Sequence, residues 1–154
     1  MRKVTLCFLL TDEKILLAMK KRGFGEGKWN GVGGKVEEGE SVTEAAVREL
    51  HEEIGVRAKH NALEDVADII FRFEGNPEWD QHMHVFFVRS WHGEPIESEE
   101  VAPQWYHHKD IPFDEMWVDD IHWLPRVLGG ELLRGECHLS NDGATLHKFE
   151  LTHR

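Results

Sequence analysis

Thiols are scarce: Cys7 and Cys137 are the only two in 154 residues, too few for a disulfide framework or a thiolate zinc site. Both sit in apolar, strand-like runs and are expected to be buried and inert. Cations are scarce as well. Eighteen Lys and Arg stand against 29 Asp and Glu, a formal charge of −11, and that balance opposes attraction to DNA, RNA or an anionic membrane. Neither a nucleic-acid polymer nor a membrane is expected as a partner. No apolar run approaches the roughly 20 residues of a spanning helix, and no signal or transit-peptide pattern precedes the first strand-like run. A cytoplasmic protein is the expectation. An acidic chain can still take a polyanionic small molecule where a bound metal or local cations invert the field.

What is present points to one globular domain over residues 1–154. "KVTLCFLL" and "KILLAMKK" flank a polar "TDE" and read as a hairpin. Residues 22–34, "RGFGEGKWNGVGG", hold six glycines and read as a loop. From Ser41 to Ile54 the periodicity is helical; Ser41 and Glu44 have capping-box spacing and Gly55 suits a left-handed cap. "LEDVADIIFRF", "HMHVFFVRSW" and "QWYHH" read as strands, with Gly75-Asn76-Pro77 turning between the first two. A second helix is expected within 112–128, beginning near Val118 or Asp119, and Asn141-Asp142-Gly143 marks a C-terminal hairpin. The expected class is α+β, a mixed sheet with two helices.

On the first helix, Glu49, Glu52 and Glu53 fall at i, i+3 and i+4, on one patch. Three like charges there should repel. Arg48 is the only Lys or Arg between Val36 and Val56, so the usual i,i+4 neutralisation is expected to be missing, and a hard divalent cation shared with a phosphate suits the cluster better than a solvated acidic face. The loop's "GGKV" is no phosphate loop of the Walker kind, because Val36 follows Lys35 where Ser or Thr belongs. Eleven histidines include His82 with His84 and the adjacent His107 and His108, but without a third ligand at a zinc-like spacing no zinc site is expected.

Gly34, five residues, Glu40, seven residues, then Arg48-Glu49-Leu50-His51-Glu52-Glu53-Ile54-Gly55-Val56 resembles the complete box of the Nudix hydrolases. The resemblance implies the Nudix fold, a mixed sheet flanked by helices in an α/β/α sandwich, and hydrolysis of a nucleoside diphosphate linked to another group. It implies magnesium, with manganese able to substitute, held by Glu49, Glu52, Glu53 and the Gly33 carbonyl. Arg48 would pair with Glu40 to orient the helix, and either Glu52 or Glu53 would activate water.

"MKKRGFGEGKWNGVGGKV", "ESEEV" and "IPFDEMWVDDIHWLP" further resemble the animal-type branch of that family, which hydrolyses oxidised purine nucleoside triphosphates such as 8-oxo-dGTP and 2-hydroxy-dATP to the monophosphate and pyrophosphate. That likeness implies a nucleotide pocket of Thr5, Lys20, Phe24, Asn30, Gly33, Gly34, Lys35, Phe71, Phe73, Trp117, Asp119 and Asp120, with Glu100 as an added metal-site carboxylate, on a monomer. Trp117 and the phenylalanines suit the faces of a purine, and Asn30 and the aspartates its edge. Asp119 and Asp120 should not both ionise against one ligand edge, so a proton is expected to be shared between them. Taken alone, "WVDDIHW" reads as an acidic helix start; the surrounding match turns it toward the pocket. The "NPEWDQHMH" loop is longer than the branch pattern, and Val32, Val101 and Val118 stand where that pattern has an aromatic, a methionine and a proline. Trp79, Asp80, Gln81 and His82 are placed to reshape the pocket rim, and Val101 to remove apolar surface near the base. A dinucleoside polyphosphate, nucleotide sugar or methylated purine triphosphate is the alternative substrate class, and a non-catalytic nucleotide sensor the alternative role.

Overall fold

The computed structural model describes residues 1–154. In chain order the strands are β1 (Arg2–Leu9), β2 (Lys14–Lys20), β3 (Trp29–Asn30), β4 (Leu63–Phe73), β5 (Gln81–Val88), β6 (Val101–His107), β7 (Leu133–Leu139) and β8 (Leu146–His153), with helices α1 (Val42–Ile54) and α2 (Asp120–Leu128). They form a five-stranded mixed sheet, β1-β5-β4-β7-β8, and a three-stranded sheet, β3-β2-β6. The β4–β5 and β7–β8 hairpins pair antiparallel as their turn residues predict.

The expected β1–β2 hairpin does not form. The two strands meet only at a Leu10–Ile15 bridge and then enter different sheets. Both edges of β1 are already taken: β5 runs parallel along one, and along the other the Cys7 N–H donates to the Val32 carbonyl at 2.6 Å and the Thr5 N–H to the Gly34 carbonyl at 2.9 Å. With no free edge to join, β2 pairs instead with β6 and with β3, a two-residue strand inside the glycine-rich loop. Loop 31–35 is thereby held against β1, which places the site.

Alternation along β1 and β5 divides the core into two layers. Cys7, Leu9, Phe86 and Val88 pack with Ala46, Leu50 and Ile54 of α1. Leu6, Phe8, Val85 and Phe87 pack with Trp123, Leu124 and Val127 of α2 on the opposite face. Two helices on two faces of one sheet give the α/β/α sandwich. The residues at 46, 50 and 54 form the four-spaced apolar stripe that makes α1 amphipathic, and truncating fully buried Leu50 to Ala would cost about 2–5 kcal/mol. The ends of α1 follow from the same stretch. Ser41 Oγ accepts the Glu44 N–H at 3.0 Å, Glu44 returns the bond to the Ser41 N–H at 2.9 Å, and Gly55 closes the helix at φ 72°. The second helix begins at Asp120 with Asp119 as its cap residue, within two residues of the expected start.

Candidate active site

Two glycines bring backbone to the carboxylates of α1. A Cβ at Gly33 would lie 1.8 Å from the Thr5 carbonyl oxygen, and one at Gly34 would lie 2.6 Å from Glu49 Oε1; a side chain at either would drive the loop off β1 or off the helix. Arg48 then ties the assembly together. Its Nε donates to Glu40 Oε2 at 2.7 Å, its Nη2 to Glu40 Oε1 and the Lys35 carbonyl, each at 3.1 Å, and its Nη1 to Glu49 Oε1 at 2.9 Å.

Arg48 Nη1 also lies 3.1 Å from Glu52 Oε2. This i,i+4 pair corrects the expectation that such neutralisation is missing: one guanidinium answers two of the three glutamates at once, because its planar fork reaches along and across the helix. Glu53 is left over. It is buried, enters none of the molecule's side-chain hydrogen bonds or ion pairs, and is pushed up to about 7 by its burial, with Glu49 adding to the effect. Burial raises Glu49 too, against the pull of Arg48.

The four candidate metal carboxylates are not drawn together. Glu52 points to solvent, and no group of three or more acidic, histidine or cysteine side chains is close enough to hold an ion in this conformation. Glu100 accepts from Arg22 Nε at 2.8 Å and Lys20 Nζ at 3.3 Å, and Arg22 holds it below its ordinary range. The positive charge of Lys20 also acts on Glu49 and Glu53. Two protein cations, Arg48 and Lys20, therefore stand among the carboxylates. A divalent cation fits the donor set: Glu53 is a buried carboxylate without a partner, and the carbonyl of Gly33, next to the Gly34 that packs on Glu49, accepts no backbone hydrogen bond, so both are hard oxygen donors with lone pairs free.

All twelve residues expected at the nucleotide pocket line one cleft of about 650 Å³. At one end lie Thr5, Lys20, Gly33, Gly34 and Lys35. At the other, four aromatic rings from four segments meet. Phe24 stacks on Trp117 with centroids 5.0 Å apart at 29°, and Trp79 stands edge-on to both Phe24 and Phe73, at 5.1 and 5.6 Å. Gly25 packs beneath the Trp117 indole and Gly143 beside it, so the glycine-rich loop and the β7–β8 turn both brace that ring. Asp119 and Asp120 are buried at this end. Asp119 Oδ2 accepts the Trp123 indole N–H at 2.8 Å, whereas Asp120 Oδ2 has no partner. Burial raises Asp119, and burial together with the Asp119 charge raises Asp120 well above the ordinary range.

Of the long-loop residues, Trp79 and Gln81 line the cleft; Asp80 and His82 do not. Asp80 instead accepts the Phe73 N–H at 2.8 Å, pinning the turn that carries Trp79, and His82 turns away to Asp68 at 2.9 Å. Val32 and Val101 belong to the core under α1 and Val118 packs on the core under α2. None of the three touches the cleft, which corrects the placing of Val101 near the base. Sequence reasoning missed Arg2, Val4, Leu6, Glu78, Met83 and Leu139, all of which line it. Strand alternation from buried Leu6 and Phe8 would have assigned Arg2 and Val4 to the same face.

The NUDIX domain family matches residues 1–127. Over 127 residues the chain is 47% identical to the oxidized purine nucleoside triphosphate hydrolase of Mus musculus, covering 82% of this chain and 80% of that protein. It is 46% identical over 125 residues to the protein of the same name from Danio rerio, covering 81% and 78%. Among solved structures, the mutator MutT protein from Bacillus halodurans superposes with a TM-score of 0.84 at 28% identity, over 98% of this chain and 97% of that one.

Proposed function

Because the chain belongs to the Nudix hydrolase family, whose members generally use divalent cations, we propose that it hydrolyses oxidised purine nucleoside triphosphates to the monophosphate and pyrophosphate, and so cleans the nucleotide pool. The names of the mouse and zebrafish relatives point to that class, oxidized purine nucleoside triphosphates, and within it 8-oxo-dGTP and 2-hydroxy-dATP are the expected substrates. The observation that carries this reading is the single cleft joining an aromatic, acid-edged end to a glycine-and-lysine end, where Gly34 packs on Glu49 of α1. A base has a place at one end and a polyphosphate at the other.

Trp117, Phe24 and Phe73 offer ring faces to the base, and Asn30 with Asp119 and Asp120 address its edge. One proton between the two aspartates lets the pair accept from an oxidised guanine or donate to a hydroxylated adenine. Lys20 and Lys35 answer phosphate charge where the chain's net charge would repel it. Glu49, Glu52, Glu53 and the Gly33 carbonyl would hold magnesium, or manganese in its place, with Glu100 beyond Lys20 as a further carboxylate. The ion, when bound, neutralises phosphate charge and makes water a better nucleophile at neutral pH. Arg48, bound to Glu40 and Lys35, fixes the helix against the phosphate loop. Glu52 or Glu53 takes the proton of the attacking water. We assign the activity to a monomer in the cytoplasm.

A panel of 8-oxo-dGTP, 2-hydroxy-dATP, methylated purine triphosphates, unmodified nucleotides, a dinucleoside polyphosphate and a nucleotide sugar, each with magnesium and assayed for monophosphate and pyrophosphate, tests the assignment. Highest kcat/KM on the oxidised purines is expected. Preference for any other class would overturn it, and tight binding without turnover would make the protein a sensor.

A further inference from the structure

Four buried side-chain atoms in the molecule lack a hydrogen-bond partner: Arg2 Nε, His84 Nε2, His108 Nε2 and Asp120 Oδ2. Two of those residues, Arg2 and Asp120, line the same cleft. Buried polar atoms are ordinarily paired, so a donor and an acceptor left open in one cleft describe a ligand with an acceptor at one edge and a donor at another. The Arg2 guanidinium also has no ion pair. Seven of the nine arginines do, in a chain rich in carboxylates, which leaves Arg2 and surface Arg57.

The sheet register places Arg2 relative to the aspartates. Arg2 on β1 lies opposite Gln81 on β5, Gln81 opposite Phe71 on β4, and Phe71 opposite Cys137 on β7. Paired residues share a face, so this row crosses the cleft floor, roughly 14 Å from Arg2 to Cys137 at ~4.8 Å per strand. Asp119 and Asp120 stand near the Cys137 end, where their charges help to raise its thiol. A bicyclic base lying over Phe71 has carboxylates at one edge and a guanidinium at the other. The phosphate-side residues Gly33 and Gly34 lie beyond the outer edge of β1, alongside Thr5, and Lys35 bridges Val4 on that same outer edge; Arg2, two residues before Val4, pairs on the inner edge with Gln81.

Resting on the reading of the substrate as an oxidised purine nucleotide, we propose that Arg2 reads the 8-oxo purines among them, its guanidinium donating to the oxygen that oxidation adds at the imidazole edge, opposite the edge held by Asp119 and Asp120. Oxidised guanine presents ring and amino N–H donors to the carboxylates and its added carbonyl to Arg2. Unmodified guanine has hydrogen at that carbon, so the arginine loses an acceptor there.

Calorimetry of 8-oxo-dGMP and dGMP binding to wild type, R2M and R2A tests this, the methionine keeping an apolar stem in place of the arginine's. Expected is a loss of about tenfold or more for 8-oxo-dGMP with dGMP changed by less than about threefold, and for 8-oxo-dGTP turnover a raised KM with kcat nearly kept. Equal losses on both monophosphates, or no loss on either, would overturn the proposal. So would a loss seen with the triphosphate alone, which would assign Arg2 to phosphate. Lowered melting temperatures in both variants with parallel loss of both nucleotides would make Arg2 a residue of the fold and overturn it too. Wild type that binds neither monophosphate and hydrolyses neither triphosphate would sink the substrate reading itself, and the proposal with it.

Discussion

Two carboxylate pairs serve the two ends of the cleft, and they are surrounded differently: buried Asp119 and Asp120 line it, whereas half-buried Glu49 and buried Glu53 do not, Glu49 meeting it through Gly34. Glu49 and Glu53, one turn apart on α1, have Arg48 and Lys20 beside them and an unbonded backbone carbonyl at Gly33. Asp119 and Asp120, at the start of α2, have an indole N–H and aromatic walls, and no ion pair reaches either. In both pairs burial raises the proton affinity. What differs is what can relieve the charge. Oxygen donors with protein cations beside them suit a metal ion, whereas a buried carboxylate pair among aromatic rings suits a proton. One cleft can thus hold a polyphosphate through a cation and read a base through a shared hydrogen.

The strongest way to break that contrast is Glu53→Gln. The amide keeps the shape but supplies neither the negative charge an ion requires nor a base, so turnover of the oxidised triphosphate should fall about a hundredfold or more, measured as pyrophosphate release. Stability should move the other way. A carboxylate raised in the fold stabilises while it is protonated and loses that contribution as pH rises through its folded value, here about 7. In metal-free buffer the variant should therefore melt above wild type at pH 8, by about 2–3 kcal/mol in stability, and the two should converge near pH 4. Wild-type turnover in the variant would remove Glu53 from metal holding.

Asp119→Asn and Asp120→Asn sharpen the other half of the comparison. Each ends proton sharing by leaving a single titrating group, and KM for the oxidised guanine substrate should rise about ten- to a hundredfold with kcat less affected. The sign of the stability effect is the same as for Glu53. The wild-type pair is favourable in acid and loses that contribution as pH rises through the raised value of Asp120, so Asp120→Asn should flatten the decline of melting temperature with rising pH. Identical pH–rate profiles for wild type and both variants would show that no proton is shared.

How much of this was legible beforehand follows the same physics. The capping box, Gly55 and the four-spaced apolar stripe of α1 are local, and the helix follows from them almost residue for residue. Pairing partners are not local. Nothing within residues 2–20 says that loop 31–35 and β5 occupy both edges of β1, and a hairpin was the natural reading. The same limit applied to charge. Counting one cation in a stretch of glutamates missed that an arginine fork can answer Glu40, Glu49 and Glu52 together. Cleft residues carried by the family likeness gathered in one place, while Arg2 and Met83, which matter only through the sheet register, went unseen.

Arg48→Lys tests whether that fork matters beyond its charge. Lysine keeps the cation but cannot span Glu40, the Lys35 carbonyl and Glu49. Turnover should drop about tenfold and stability by about 1–2 kcal/mol, read from steady-state rates and urea unfolding. Full activity in the variant would reduce Arg48 to a counter-charge.

The smallest expected effect is at Trp79, and it separates the two ends most cleanly. Its indole is edge-on to Phe24 and Phe73, and its turn is pinned by Asp80 on the Phe73 N–H, so it forms a side wall of the base end with no contact to the α1 carboxylates. Trp79→Leu removes that wall while leaving an apolar surface. KM for oxidised purines should rise a few-fold, roughly the worth of one aromatic contact at about 0.5–1.5 kcal/mol, and kcat should stay within about twofold. Purines with bulky substituents should lose less than the small ones, because the slot widens as the contact is lost. A fall in kcat with KM unchanged would mean that the aromatic end and the metal end are coupled, and the division of labour between proton and cation would have to be redrawn.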